Sequence, residues 1–287
     1  MASLHRAVRA HPASSTQAGD GPSTLGQRWL RQRRIERIAA VALPLVVGAI
    51  GIGYWQATTS GRHTGSVLIP SFTEFASAIG KLLGKGEFWN AAWTSESALL
   101  VAFGLAVGIG VPFGLLIGRH RRFDAFISGW VDIGVVTPTA VFMPMIIIIF
   151  GPTFWARVSV MFLFALTFVI IPCRTASMTV SDSLLSMARS YGADRFRLWR
   201  EVIVPASAAG IFVGLRQGLA HAFTGMFLIE LTYLAVGLGW LIEGYQTTFD
   251  TADVFGVCFL IVAEAAVLMA ALQWVQTRLT GGLHAHR

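Results

Sequence analysis

Four ionisable side chains stand inside or beside long apolar stretches of this chain: Arg216, His221, Glu230 and Glu264. A charge near the middle of a bilayer costs roughly 2.5–3.5 kcal/mol on insertion scales, so such groups face a neighbouring helix, a partner or water. Two readings follow. In one, Arg216, with His221, lines a path for anionic solutes. In the other, Arg216 forms a structural pair with Glu264, near the middle of the last apolar stretch, or with Glu230, just past the outer end of its own. Enzymatic chemistry has little to work with. Of seven histidines, four lie in the tails (His5, His11, His284, His286), and serines such as Ser128 and Ser159 have no histidine at a suggestive spacing. A phosphate loop needs G-x4-G-K-[ST]; Gly80-Lys81 and Gly84-Lys85 lack both the spacing and the hydroxyl residue. Cys173 and Cys258 lie in apolar runs, read as small hydrophobes rather than a disulfide, and no metal-ligand spacing occurs. No cofactor is expected on this chain.

A second chemistry-bearing stretch is "SMARSYGADRFRLWREVIVPAS", residues 186–207, with arginines at 189, 195, 197 and 200. Leu184, Ala188 and Tyr191 recur at i, i+4 and i+7, one face of a short helix. Asp182 or Ser183 is expected to cap it. Gly192 suits a left-handed C-terminal position. Asp194 then caps a second helix with an apolar face of Phe196, Leu198, Trp199, Val202 and Ile203, ended by Pro205. From the residues alone, this helix–turn–helix lies either on anionic lipid or against a soluble partner.

The elements that carry these residues follow from composition. The chain has 287 residues, 54% hydrophobic and 13% charged, about half the charge of a soluble domain. Charge-free runs cover 38–61, 97–118, 133–156 and 158–173. About 20 apolar residues cross a bilayer as a helix, and the expected fold is an all-α polytopic membrane protein. Six spans are read: 38–56, 97–118, 133–150, 157–174, 207–228 and 253–275. Arginines crowd one side: seven before the first span (Arg6, Arg9, Arg28, Arg31, Arg33, Arg34, Arg37), three in 119–132, five in 174–206 and two in the C-terminal tail. The opposite side has Arg62, Lys81, Lys85 and Arg157. Positive charge stays on the cytoplasmic side, so both termini are expected there. The net charge of +7 therefore reads as a topological signal, and nucleic acid is not an expected partner.

Residues 1–37 form a basic cytoplasmic tail, Ser/Thr/Gly/Pro-rich over 1–27 and read as disordered. Its apolar run begins near residue 38, which argues for an uncleaved anchor and against a signal peptide. Residues 57–94 read as extracytoplasmic, with a short helix near 72–83 that Ser71 and Glu74 open as a capping box; this helix either docks passively or contacts a receptor. Residues 95–277 form the core, and 278–287 a second cytoplasmic tail. Gly104, Gly108, Gly110, Gly114 and Gly118, and Gly210, Gly214 and Gly218, mark close helix contacts. Pro112, Pro138, Pro144 and Pro172 are expected to kink or break their helices.

The spacing A-x3-G-x9-V-x-V-P, carried by Ala188, Gly192, Val202, Val204 and Pro205, resembles the EAA loop of ABC transporter permeases. Ser186 stands where that family has Glu, and Met187 where it has its first Ala. "LIPS" at 68–71, "GEFW" at 86–89, "GVPFGLLIGRHRRFD" at 110–124, "GLRQGL" at 214–219 and "GLGWLI" at 237–242 resemble the nitrate/sulfonate/taurine import branch. The resemblance spans roughly 66–280. It implies a permease like those of type I ABC importers in the plasma or inner membrane, paired with a second permease copy. It also implies two copies of a cytoplasmic ATP-binding subunit that hydrolyse the ATP, and an extracytoplasmic substrate-binding protein. Ser186, Met187, Ala188, Tyr191, Gly192, Ala193, Asp194, Leu198 and Pro205 would form the ATPase-docking loop, moving a small anionic or organic solute. A self-contained secondary transporter or channel, or an intramembrane hydrolase, are the competing expectations.

Overall fold

A computed structural model describes residues 46–59 and 69–280. Residues 46–59 form a helix, α1, with mostly exposed side chains, in a unit ending at Thr58. Of the first expected span, 38–56, residues 46–56 are helical and 38–45 lie outside the described residues, as do both chain ends.

The second unit contains helices α2 (Phe72–Gly84), α3 (Gly86–Arg119), α4 (Arg121–Val136), α5 (Met143–Phe150), α6 (Phe154–Met178) and α7 (Asp182–Ser190). Short pieces α8 (Arg195–Arg197) and α9 (Val204–Ala206) flank a π-helical turn, Leu198–Ile203. Then come α10 (Ala208–Thr232), α11 (Gly237–Thr247) and α12 (Thr251–Thr280). The expected capping box opens α2: the Glu74 N–H donates to Ser71 Oγ at 3.3 Å and the Ser71 N–H donates to Glu74 Oε2 at 2.8 Å. These bonds favour the ionised carboxyl and hold Glu74 below its ordinary pKa, the Ser71 backbone N–H contributing most.

Among the described residues three helices are long and apolar enough to cross a membrane alone: Gly86–Arg119, Phe154–Met178 and Thr251–Leu279. The third expected span, 133–150, is not one helix. Arg121–Val136 and Thr139–Phe150 meet at 87° and qualify only as a bent pair. Thr137 is extended (φ −73°, ψ 124°) because Pro138 crowds the helical conformation of its predecessor. Pro144 instead sits in the first turn of α5, where its missing N–H is harmless. A second bent pair, Arg195–Ala206 and Ala208–Thr232, turns by 67° at Ser207. Pro112 and Pro172, expected to kink or break their helices, lie inside α3 and α6, which continue through them. In a membrane, prolines inside helices are tolerated where neighbouring groups re-satisfy the freed backbone.

α6 is the centre of the bundle, with α3 on one side and α10 on another. A Cβ on Gly114 would lie 2.6 Å from the Ile170 carbonyl oxygen, and one on Gly118 would collide with that of Arg174. On α10, a Cβ on Gly214 would lie 2.9 Å from the Val169 carbonyl oxygen, and one on Gly210 would strike Ala176. Lipid tails are as apolar as leucine, so this close backbone approach, rather than transfer from water, holds the helices together. Gly104 and Gly108, read with the same stripe, have nothing within 4 Å of such a Cβ and take no part in it. Outward positions such as Trp130, Val136, Ile148 and Val262 are strongly exposed and apolar, the surface a bilayer or a neighbouring subunit covers.

Candidate functional site

The helical hairpin at 181–207 is built from its own sequence upward. Ser181, one residue before the expected caps, accepts the Leu184 N–H through its Oγ at 3.4 Å. Asp182 thereby becomes the first helical residue, where its negative charge suits the helix N-terminus. Gly192 adopts φ +80°, and the Ala193 N–H donates to the Ala188 carbonyl at 3.1 Å, closing α7 with a left-handed cap. Asp194 opens the second arm by accepting the Arg197 N–H at 2.7 Å. Leu185, Leu198, Ile203 and Val180 form a small private core, joined by Ala188, Val202 and Trp199. Trp199 also packs against the main core of the bundle, so it bridges the two.

The hairpin is tied to the bundle by charge as well. Arg119, closing α3, donates from Nη2 to Asp182 Oδ1 at 2.6 Å. That bond holds the Asp182 carboxyl below its ordinary pKa. Nearby, Arg174 Nε of α6 donates to Asp124 Oδ1 of α4 at 2.5 Å, both side chains mostly buried. Ser177 Oγ donates to the Leu115 carbonyl at 2.9 Å, fixing α6 to α3 on the same level.

The loop residues named from the sequence divide into two sets. Leu198 is buried in the hairpin core, and Ala188, Ala193 and Pro205 are half-buried. Ser186, Met187, Tyr191, Gly192 and Asp194 are exposed, Tyr191 at 87%. Leu184 and Phe196 are exposed beside them. Ser186 Oγ donates to the Asp182 carbonyl at 2.8 Å, so this serine satisfies itself within α7.

The buried charges lie elsewhere and pair differently from expectation. Glu230 is inside α10 rather than past its end, and only 2% exposed. Its Oε1 accepts from Arg157 Nη1 at 3.3 Å, and its Oε2 accepts from Ser95 Oγ at 2.7 Å and the Gly239 N–H at 3.4 Å. Arg157 also donates to the Thr94 carbonyl at 3.0 Å, and the Leu238 N–H donates to Ser95 Oγ at 3.0 Å. Gly237, at φ +59°, brings α11 so close that a Cβ there would strike Ser95 Oγ. Four helices thus meet in one satisfied polar knot. The alternative Arg216–Glu230 pair is overturned, because Arg157 occupies that acid. Arg216–Glu264 fares no better: among the described residues Arg216 makes no ion pair, and Glu264 lies against Glu96. Arg216 is half-buried on α10, five residues before His221, whose ring stacks on Phe168 with centroids 3.3 Å apart.

Two contributors lie outside the sequence reading. Arg157 reads there as a flanking charge, although it stands between two uncharged runs, the one signal that marks it. Ser95 carries no signal separating it from other serines, while Trp199, expected on the apolar face of the second helix, also reaches the main core.

Comparison with known proteins follows this geometry. Residues 110–283 match the family described as binding-protein-dependent transport system inner membrane component. A probable ABC transporter permease protein of Brucella melitensis is 28% identical over 85% of this chain and 98% of its own length. The riboflavin transport system permease protein RibX of Chloroflexus aurantiacus is 29% identical over 78% of this chain and 84% of its own. The taurine transport system permease protein TauC of Escherichia coli is 24% identical over 67% and 70%. The fold is similar to a chain of the MetNI methionine ABC transporter in an inward-facing conformation, with TM-score 0.54, 19% identity, and coverage of 68% of this chain and 95% of that one. The match spans more than half of the chain and includes the hairpin, α6 and α10, and on this ground the chain belongs to the family of inner-membrane permease components of binding-protein-dependent ABC importers.

Proposed function

We propose that this permease moves a small anionic or organic solute inward, and that residues 184–204 are the lever through which a separate ATPase drives it. The observation that carries the reading is the hairpin's construction. An exposed apolar and basic surface of Leu184, Met187, Tyr191 and Phe196, with Arg189 and Arg195 beside it, stands on a private core anchored by Trp199 and Arg119. A rigid body with an unfilled amphipathic face transmits displacement, which a floppy loop would absorb. Closure of two ATP-binding subunits on the cytoplasmic side would push α7 and α8. Trp199 and the Arg119–Asp182 bond would pass that motion to α3 and, through the glycine contacts, to α6 and α10.

In this reading Ser186, Met187, Ala188, Tyr191, Gly192, Ala193, Asp194, Leu198 and Pro205 form the docking element, the exposed ones by contact and the others by holding its shape. A second copy of the chain completes the pathway, both termini are cytoplasmic, and an extracytoplasmic binding protein supplies the solute. The names of the relatives span taurine, aliphatic sulfonates, riboflavin and choline, which favours a small organic solute without choosing one. Arg216, half-buried and without an ion pair among the described residues, and the His221–Phe168 stack are the candidate pathway groups for an anionic part of it.

The test is reconstitution in vesicles with the ATPase and binding protein purified alongside the permease. Uptake that depends on ATP, and falls at least tenfold in Tyr191→Asp or Met187→Asp while ATP hydrolysis persists, supports the lever. Uptake that runs without the ATPase and follows an ion gradient would establish the alternative, a self-contained secondary transporter.

A further inference from the structure

The polar knot satisfies one buried acid and leaves its neighbour without a donor. Glu96 follows Ser95 on α3 and is 9% exposed. Its Oε1 is shielded from solvent and, among the described residues, has no hydrogen-bond partner. The polar group that lies against Glu96 is another carboxyl, Glu264 of α12. The next charged group is again an acid, Glu230 of α10, whose oxygens are taken by Arg157, Ser95 and Gly239. Arg157, from α6, is committed to Glu230 and the Thr94 carbonyl. α11 presents its Leu238 and Gly239 N–H groups to Ser95 and Glu230, not to Glu96. Among the described residues, no lysine, arginine or histidine acts on either carboxyl.

Two ionised carboxylates offer acceptors only, and held together in a bundle they repel. One proton removes both difficulties. It turns one acid into an O–H donor aimed at a lone pair of the other, and such charge-assisted O–H···O bonds are among the strongest in proteins. We propose that Glu96 and Glu264 share a single proton, forming a carboxylic acid–carboxylate hydrogen bond that clasps α12 to α3 inside the bundle. α12 packs chiefly on α2, α11 and α10, so this bond is its polar link to the helix that closes at Arg119. Gain or loss of that proton would tighten or release α12. The proposal concerns the permease alone and stands or falls independently of the ATPase lever.

The experiment uses the full-length chain in nanodiscs of zwitterionic lipid, grown with carbon-13-labelled glutamate so that its bands separate from lipid esters and aspartates. Infrared spectra at neutral pH are expected to show a protonated glutamic acid carbonyl band. Its intensity should fall by one group in both Glu96→Gln and Glu264→Gln. In each variant the new amide N–H can donate to the remaining carboxylate, so the fold is kept. If a variant does not fold, alkaline titration of the unsubstituted protein gives the same reading, through loss of one protonated band and gain of one carboxylate band. A spectrum with only ionised glutamates at neutral pH would overturn the proposal, and would point to a cation from a second copy or from solution.

Discussion

Two ends of the α3–α6–α10 contact are held by opposite means. Toward α7, glycines 110, 114 and 118 of α3 and 210, 214 and 218 of α10 press backbone against α6, nearly without polar side chains. Toward α11, the same three helices meet through Arg157, Glu230, Ser95 and the Thr94 carbonyl. The glycine end gains from shape, and tolerates no added atom. The polar end gains from complete hydrogen bonding, and tolerates no missing partner. The first makes a stiff slab where the hairpin of residues 181–207 attaches. The second is a directional lock, which separates only if several bonds break together.

The sharpest way to break the comparison is to remove one partner of the lock. Arg157→Met should leave Glu230 charged and buried, costing about 3–5 kcal/mol, read as a large fall in thermal unfolding temperature in detergent. Arg157→Met with Glu230→Met should recover most of that loss, since paired removal leaves no orphan charge. A double variant as unstable as the single one would mean that the knot acts through more than this pair.

At the glycine end Gly114→Ala should cost about 1–3 kcal/mol, because its methyl group meets the Ile170 carbonyl rather than a movable side chain. Gly108→Ala, with open space at its Cβ, should instead stabilise by about 0.5–1 kcal/mol through helix propensity. The same unfolding assay checks both, and equal effects at 108 and 114 would defeat the slab description.

The smallest effect is expected at Asp182. Its carboxyl is held below the usual range by Arg119, so the bond is present at neutral pH and lost as pH falls through that depressed value. Asp182→Asn should remove this acid-side dependence from the mobility of a spin label on α7, and leave global unfolding nearly unchanged because the Asp182 carboxylate is exposed.

Much of the local structure was legible in the residues. Ser71 and Glu74, Gly192 and Asp194 cap their helices as their types require, since each cap is a contact over three or four positions. The breaks were harder. Pro138 interrupts its span while Pro112 and Pro172 do not, because a proline in lipid survives wherever a neighbouring helix supports the backbone it exposes. The stripe on α3 was read two glycines too long for the same reason: which face meets α6 depends on where α6 lies.

Charge pairing marks the boundary most clearly. Composition and uncharged run lengths determined that the chain lives in a membrane, and the spacing from Ala188 to Pro205 determined where a partner would be sought. Only the tertiary structure decided that Arg157 rather than Arg216 meets Glu230, that Trp199 joins the hairpin to the bundle, and that Glu96 lies against Glu264. Arg157 and Glu230 stand 73 positions apart, and Glu96 and Glu264 stand 168 apart. Helical periodicity constrains neighbours within a turn or two, while partners at that distance are set by helix crossings that no local pattern encodes.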